Sequence, residues 1–232
     1  NETADIGSSF NAIPFTHSTN GELSEFRGSG RQSRIGLAAD AKPSDNVKLQ
    51  GYWESDFLSA GISSNSNQSN SYTLRIRQFW AGATIDHSSF YAGQMWSLAT
   101  QAKNGVAPRN EAVPLTIDAQ YNVGFDWARQ WGVRFAQDFN HKASFAVSAE
   151  ESQMVFGGHG IPAQVFVDNA GGSLLNANQN YSTDVAPDFV AKFAVDPGPF
   201  HFEIKGIGRF FRDRIIDTTA AASFGGSRTV VR

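Results

Sequence analysis

The chain has 232 residues, a formal net charge of −3 and no cysteine. The near-neutral charge gives no electrostatic footprint for nucleic acid. The absence of cysteine excludes disulfide scaffolds, cysteine-ligated zinc and thiol catalysis. No run approaches the roughly 18 uninterrupted apolar residues that a transmembrane helix needs.

Eight strand-like segments follow one another along the chain, and no helical period of comparable strength separates them. They are predicted at 31–41, 46–58, 72–85, 90–97, 127–138, 143–151, 188–195 and 200–213. Their connections alternate in length. Short turns are expected at 42–45, 86–89, 140–142 and 196–199, and long connections at 59–71, 98–126 and 152–187. The short turns carry the Pro, Gly, Asp, Asn and Ser that tight turns require. This alternation is typical of a bacterial outer-membrane β-barrel, with tight periplasmic turns and long outer loops.

The stretch KLQGYWESDF shows the two unlike faces of these strands. Lys48, Gln50, Tyr52, Glu54 and Asp56 share one face, and Leu49, Gly51, Trp53 and Phe57 share the other. In a soluble sandwich the apolar face would pack into a core, whereas in a membrane barrel it meets lipid and the charges line a wet lumen. Several strands carry charges on one face, whereas the middle of the other face carries none. We therefore predict an all-β fold, a transmembrane antiparallel up-and-down barrel. Gln78 breaks the alternation of 72–85 and predicts a bulge.

Three alternatives stay open on the residues alone. A secreted β-sandwich carbohydrate-binding module or glycoside hydrolase would use the same alternation, and Glu54 with Asp56 could form a glycosidase pair. A barrel could also serve as an adhesin or an enzyme. However, no set of nucleophile, base and orienting group is present, and the five histidines show no metal-ligand spacing. We therefore expect neither an enzyme, nor a cofactor, nor a metal.

Five stretches, RQSRIGLAADA, NSYTLRIRQFWAGATI, FYAGQMWSLAT, YNVGFDWARQWGVRFAQDF and FEIKGIGRFFRDR, resemble outer-membrane porins of the DcaP-like family. The resemblance runs from about residue 27 to the end. It implies a closed barrel of sixteen strands that assembles as a homotrimer in the bacterial outer membrane and passes small, often anionic, solutes. Only eight strands are counted here, and an eight-stranded barrel is filled by side chains. We therefore expect residues 1–232 to be one barrel domain that is incomplete at both ends.

The predicted function is passive diffusion of small hydrophilic solutes, with a preference for anions such as small carboxylates. Its partners would be these solutes, outer-membrane lipid and lipopolysaccharide, but not nucleic acid. The height of each charge along the barrel can be estimated by counting residues from the short turns. This count places a cationic belt at mid-height, with acidic layers on both sides; the belt consists of Arg77, Arg134, Lys192 and Lys205. The candidate pore-lining residues are Arg34, Arg75, Arg77, Arg134, Lys192, Lys205, Arg209, Glu54 and Asp56.

Two long connections receive separate predictions. Segment 98–126 is too long for a simple link, and we expect it to fold into the barrel as a constriction loop. Its candidate residues are Lys103, Arg109, Glu111 and Asp118. Segment 152–187 is expected to be a long extracellular loop.

Overall fold

A computed structural model describes residue 30 and residues 33–57, 73–113, 128–140, 142–152, 186–210, 212–216 and 227–231. For the last two ranges the backbone alone is described. Asp118 and most of segment 152–187 lie outside these ranges, so their predicted roles stay predictions. Among the described residues, no helix combines the length and the apolar character needed to cross a bilayer.

Eight strands form one sheet in chain order, each antiparallel to the next. They are β1 (Arg34–Ser44), β2 (Val47–Asp56), β3 (Arg75–Ile85), β4 (Ser88–Trp96), β5 (Arg129–Phe139), β6 (Ala143–Glu150), β7 (Asp188–Val195) and β8 (Phe202–Gly208). The predicted all-β class, the eight strands and their up-and-down order are thereby confirmed. Over the described residues the sheet is open, with β1 and β8 as its two edges.

The prediction of one strand over 200–213 was wrong at its end. Strand β8 stops at Gly208, and residues Arg212–Ile216 form β9, which pairs with β10 (Ser227–Val231) in a separate two-stranded sheet. The consecutive aromatics Phe210 and Phe211 interrupt the period of two at this point. Strand β10 is only five residues long, which is too short for alternation to identify it.

The bulge expected at Gln78 is confirmed. Glu54 of β2 pairs with Gln78, but Ser55 pairs with Ile76, so Arg77 is the extra residue of β3. A bulge lets two successive side chains turn to one face. Arg77 and Gln78 are accordingly both buried, between the exposed Ile76 and Phe79.

The two faces of the sheet are opposite in character, and the polar one is the buried one. In β6, Ser144, Ser148 and Glu150 are buried, whereas Phe145 and Val147 are exposed. The other strands contribute further exposed apolar side chains: Leu37, Phe79, Phe90, Trp131, Val133, Phe135, Phe189, Phe193, Phe202 and Ile204. We call these two sides the polar face and the apolar face. This distribution of polar and apolar side chains is the reverse of that in a soluble sheet, which buries its apolar face.

A small apolar cluster lies on the polar face, where the chain after β4 covers the sheet. Trp80 and Tyr91 meet edge to face with ring centroids 5.7 Å apart, and Leu98 and Val106 of the covering chain pack into the same cluster. Tyr91 can lie flat against β3 because its neighbour is Gly82. A Cβ at Gly82 would come within 2.3 Å of the Tyr91 ring.

Candidate functional site

The residues that follow β4 fold back over the polar face. We call residues 97–113 the covering segment. The Leu98 amide donates to the Glu150 carboxylate at 2.8 Å. The Arg134 guanidinium donates to the carbonyl oxygens of Trp96, at 2.6 Å, and Val106, at 3.2 Å. The buried Arg134 therefore ties the end of β4 to the middle of the segment.

The covering segment doubles back on itself as a short antiparallel loop. Ala102 and Glu111 form an isolated bridge, and the Lys103 amide donates to the Asn110 carbonyl at 2.7 Å. Near the turn of this loop, Arg109 has a positive φ of 72°. Its guanidinium carbon lies 4.5 Å from the ring centroid of Tyr52, on β2. The segment therefore reaches back towards the first strands of the sheet.

At the other side of the sheet, the covering segment is held by β7 and β8. Lys192 donates to the Thr100 carbonyl at 2.5 Å and also contacts Glu203 at 3.0 Å. Lys205 donates to the carbonyl of Ala99. The segment thus crosses the polar face from β2 to β8. The hydrogen bonds that attach it come mainly from charged side chains of strands β1 to β8, which we call the wall.

A cluster of arginines and carboxylates occupies the long-loop end of β1, β2 and β3. Asp56 accepts from Arg75 at 2.8 and 2.9 Å and from Arg77 at 2.5 Å. Glu54 accepts from Arg77 at 2.9 Å, and the exposed Arg34 lies 3.6 Å from the same carboxylate. We call this group, together with Arg129, the arginine cluster. Both carboxylates are buried. Their pairing with arginines offsets the cost of removing these charges from water.

Arg129 belongs to this cluster but was not among the predicted site residues. Its guanidinium lies over the Trp96 ring, 5.2 Å from the centroid, and interacts electrostatically with Arg75, Arg77 and both carboxylates. Strict alternation assigns Arg129 to the face of Trp131, the apolar one. The signal that could have revealed it is its place at the first residue of β5, where strand parity is weakest.

The remaining predicted residues fall into three groups. Arg209 and Asp188 form a bidentate pair at the long-loop end of β7 and β8. Lys103 and Arg109 are exposed on the covering segment, and Glu111 is half-buried there. Arg134, Lys192 and Lys205 lie together beneath the segment. Arg77 does not join them, which corrects the predicted belt.

The reason for the misplaced Arg77 is register. Arg77 is the third residue of β3, next to Gln78, which pairs with Glu54, so Arg77 lies at the height of the outer acidic layer instead of mid-height. The belt beneath the covering segment is also engaged in hydrogen bonds. Its cations hold carbonyl oxygens and Glu203, as described above. The cations of the polar face therefore stiffen the wall as well as charging it.

The arginine cluster and the covering segment differ in their electrostatics. The arginine cluster sets four guanidinium groups (Arg34, Arg75, Arg77 and Arg129) against two carboxylates, an excess of two positive charges. On the covering segment, burial raises the pKa of Glu111, against the opposing attraction of Arg134 and Lys192. No group of three or more His, Asp or Glu side chains in the described part of the chain could hold a metal ion.

One solved structure is similar to the described fold. No family model matches the chain, and no curated protein matches it. Among solved structures, it is similar to the crystal structure of the outer membrane channel DcaP of Acinetobacter baumannii, with a TM-score of 0.54 and 18% sequence identity. The match covers 95% of this chain and 51% of that one. The chain thus spans about half the length of the channel, and it resembles that outer membrane channel at the level of the fold.

Proposed function

We propose that this protein is a channel of the bacterial outer membrane, through which small hydrophilic solutes, preferentially anions, diffuse passively. The observation that carries the proposal is the reversed amphipathicity of the sheet. Phe, Trp, Leu, Ile and Val side chains cover the outside of the described strands, whereas charges, serines and the covering segment occupy the other side. Such an apolar band needs lipid, and such a charged interior needs water.

The similar structure supports the same proposal. A sandwich-type binding module or hydrolase would require a second sheet over the apolar face, whereas strands β1 to β8 form one meandering sheet. Glu54 and Asp56 are engaged by arginines and so do not have the environment of a glycosidase pair. A solved protein with a similar fold is an outer membrane channel.

A conducting pore requires more strands than the eight described in the main sheet, because an eight-stranded barrel has its interior filled by side chains. We propose that this sheet forms about half of a closed barrel. The match to 51% of the solved channel supports that proportion. Assembly as a homotrimer and contact with outer-membrane lipid and lipopolysaccharide complete the proposal.

The anion preference rests on the arginine cluster. Its two excess positive charges lie on the polar face, at the end where the long connections are. Arginine stays charged at all relevant pH values and binds carboxylates with two parallel hydrogen bonds. Low-dielectric walls lined by one sign of charge raise the local concentration of the opposite ion. Small carboxylates are therefore the solutes that the cluster favours.

The test is the reversal potential of the native protein in a planar bilayer under a KCl gradient. We expect chloride preference in the unmodified channel, and a shift towards potassium with Arg129→Glu. Arg129 is the best position for charge reversal because Arg77→Glu would place a third carboxylate against the buried Glu54 and Asp56, and Arg134→Glu would release the covering segment. Lys142→Glu, in the exposed turn between β5 and β6, is the matched control and should shift the potential less.

Two results would contradict the proposal. Potassium preference in the unmodified channel would refute the anion selectivity. A monodisperse protein that needs no detergent in plain buffer would refute the membrane location altogether, because the apolar face would then have to be covered by protein.

A further inference from the structure

One amide side chain of β4 lies on the apolar face. Gln94 pairs with Phe79 of β3 and with Trp131 of β5, and residues directly opposite each other across antiparallel strands share a face. Phe79 and Trp131 are 54% and 48% exposed. In the proposed barrel Gln94 therefore faces hydrocarbon, where a polar group must find its hydrogen-bond partners within the protein.

The Gln94 side chain finds these partners at the bulge of β3. Its Nε2 donates to the carbonyl oxygen of Arg77 at 2.9 Å and lies 3.4 Å from that of Ile76. The ladder between β3 and β4 ends at the pair of Phe79 and Gln94, so both carbonyls lie beyond its last paired residues. A bulge disrupts the ladder locally, and Gln94 supplies a donor at this disruption.

The residue before Gln94 lets the two strands approach closely beside this contact. Gly93 has a positive φ of 130°. A Cβ at Gly93 would come within 2.3 Å of the Phe79 carbonyl oxygen and 2.7 Å of the Trp80 Cα. The backbone of β3 therefore occupies the space that a side chain would need, and glycine is the residue that fits.

The bulge decides which side chains the long-loop end of β3 presents to the polar face. Phe79 is exposed on the apolar face, and beyond the bulge Ile76 is also exposed there, at 51%. Strict alternation from Phe79 would instead turn Ile76 to the polar face, and Arg75 and Arg77 to the apolar face. The two arginines therefore belong to the arginine cluster only while the bulge is in place.

The apolar band alone does not enforce this orientation. Counted from Ile85, the last residue of β3, at about 3.4 Å per residue and a tilt of about 40°, Arg77 lies roughly 20 Å into a band about 25 Å tall. An arginine that faces lipid costs little near the edge of such a band. The ion pairs of Arg77 with Glu54 and Asp56 oppose the outward orientation from the polar face, and Gln94 opposes it from the apolar face.

We propose that Gln94 is a positioning residue, which holds the bulge of β3 through the Arg77 carbonyl and so keeps Arg75 and Arg77 on the polar face. A side chain on the outside of the barrel, out of contact with the solutes in the lumen, then controls the charge that these solutes meet. This effect on selectivity rests on the proposed function. The effect on the facing of β3 requires only the described sheet.

The experiment determines the face of residue 76 with a nitroxide spin label on an Ile76→Cys variant in lipid vesicles, since the sequence has no cysteine of its own. Collision rates are measured with oxygen, which concentrates in hydrocarbon, and with a water-soluble nickel chelate. A label on Phe79→Cys is the reference for the apolar face. Both labels should favour oxygen when Gln94 is present. With Gln94→Met, which keeps the size but removes the donor, the label at 76 should change its preference to nickel, and the label at 79 should not.

Gln137→Met is the matched control. It also removes a glutamine amide that donates to a carbonyl, that of Asp138 at 3.3 Å, but at the short-turn end of β5. The label at 76 should keep its preference for oxygen in this variant. A change of preference in the control, or an unchanged label at 76 with Gln94→Met, would overturn the proposal.

A deletion keeps the test decisive if Gln94→Met does not fold, as judged by heat-modifiable gel mobility. A chain that lacks Arg77 has no extra residue in β3, and plain alternation then leaves Ile76 on the apolar face and Arg75 on the polar face. Gln94→Met should therefore fold in that background, with the label at 76 favouring oxygen. Failure to fold in both backgrounds would overturn the proposal, because Gln94 would then be needed for something other than the bulge.

The reversal potential under a KCl gradient separates the positioning role from the proposed function. In Gln94→Met two guanidinium groups leave the polar face, so the potential should shift towards potassium. A shifted potential with an unchanged label at 76 would overturn the positioning role. A label that changes its preference as expected would support that role even if the protein passed no current, which would refute the channel, or if the potential did not move, which would refute the arginine cluster as the source of anion preference.

Discussion

Replacing Val147 with arginine tests the assignment of the two faces. Val147 lies on the apolar face of β6, with Phe135 and Ala191 as its cross-strand neighbours. It is four residues beyond Ala143, the first residue of the strand. At about 3.4 Å per residue and a tilt of about 40°, that places it roughly 10 Å into an apolar band about 25 Å tall.

Val147 is therefore close to the middle of the hydrocarbon. An arginine there costs about 2–4 kcal/mol, which corresponds to a loss of roughly 30- to 700-fold in the folding equilibrium at 1.4 kcal/mol per factor of ten. Ile204→Arg should cost less. Ile204 is only two residues beyond Phe202, or roughly 5 Å into the band by the same arithmetic.

Ile207→Arg is the matched control, because it makes the same change on β8 but on the polar face, opposite Val190. We expect near-normal stability for this variant. Urea titration in lipid vesicles, followed by heat-modifiable gel mobility, measures all three. If Val147→Arg and Ile207→Arg destabilised the protein equally, or in the reverse order, the face assignment would be wrong by one residue throughout.

Three further predictions concern the covering segment and the wall beneath it. Ser148→Ala removes a 2.6 Å hydrogen bond to the Glu150 carboxylate and should cost about 1.5–3 kcal/mol without preventing assembly; failure to assemble would contradict this. Deleting 104–113 should raise single-channel conductance, and a folded deletion with unchanged conductance would show that the segment does not narrow the pore. Because burial raises the pKa of Glu111, its neutral form favours the docked segment, and docking weakens as the pH rises through that pKa. Glu111→Gln should therefore reduce the mobility of a nitroxide spin label attached to a Lys103→Cys variant near neutral pH; increased mobility would contradict this sign.

The strands and their faces could be predicted because alternation is a local property. Each face of β6 is readable from eight residues, and the break at Gln78 was visible within β3. The ion pairs of the arginine cluster could not be predicted, because they depend on which residues face each other across strands. A one-residue bulge was enough to bring Arg77 to Glu54 and Asp56.

For the candidate site, the sequence likewise predicted residue types and faces but not individual contacts. Its charged residues were found by type and face, and the long segment after β4 was expected to enter the barrel. The contacts that attach this segment were not predictable, since they join residues 28 to 106 positions apart in the sequence, such as Arg134 with Val106 and Lys205 with Ala99. Arg129 was missed because parity fails at the end of a strand.

The way in which the covering segment is attached has a consequence for how such a protein can diverge. The wall binds the segment through peptide groups: the amides of Leu98, Ala102 and Gly105, and the carbonyls of Ala99, Thr100 and Val106. Every residue type offers a carbonyl, and every residue type except proline offers an amide. Substitutions along the segment can thus alter its exposed side chains while the anchorage stays intact. The charged wall residues have no such freedom, so solute preference can evolve on the segment against a constant wall.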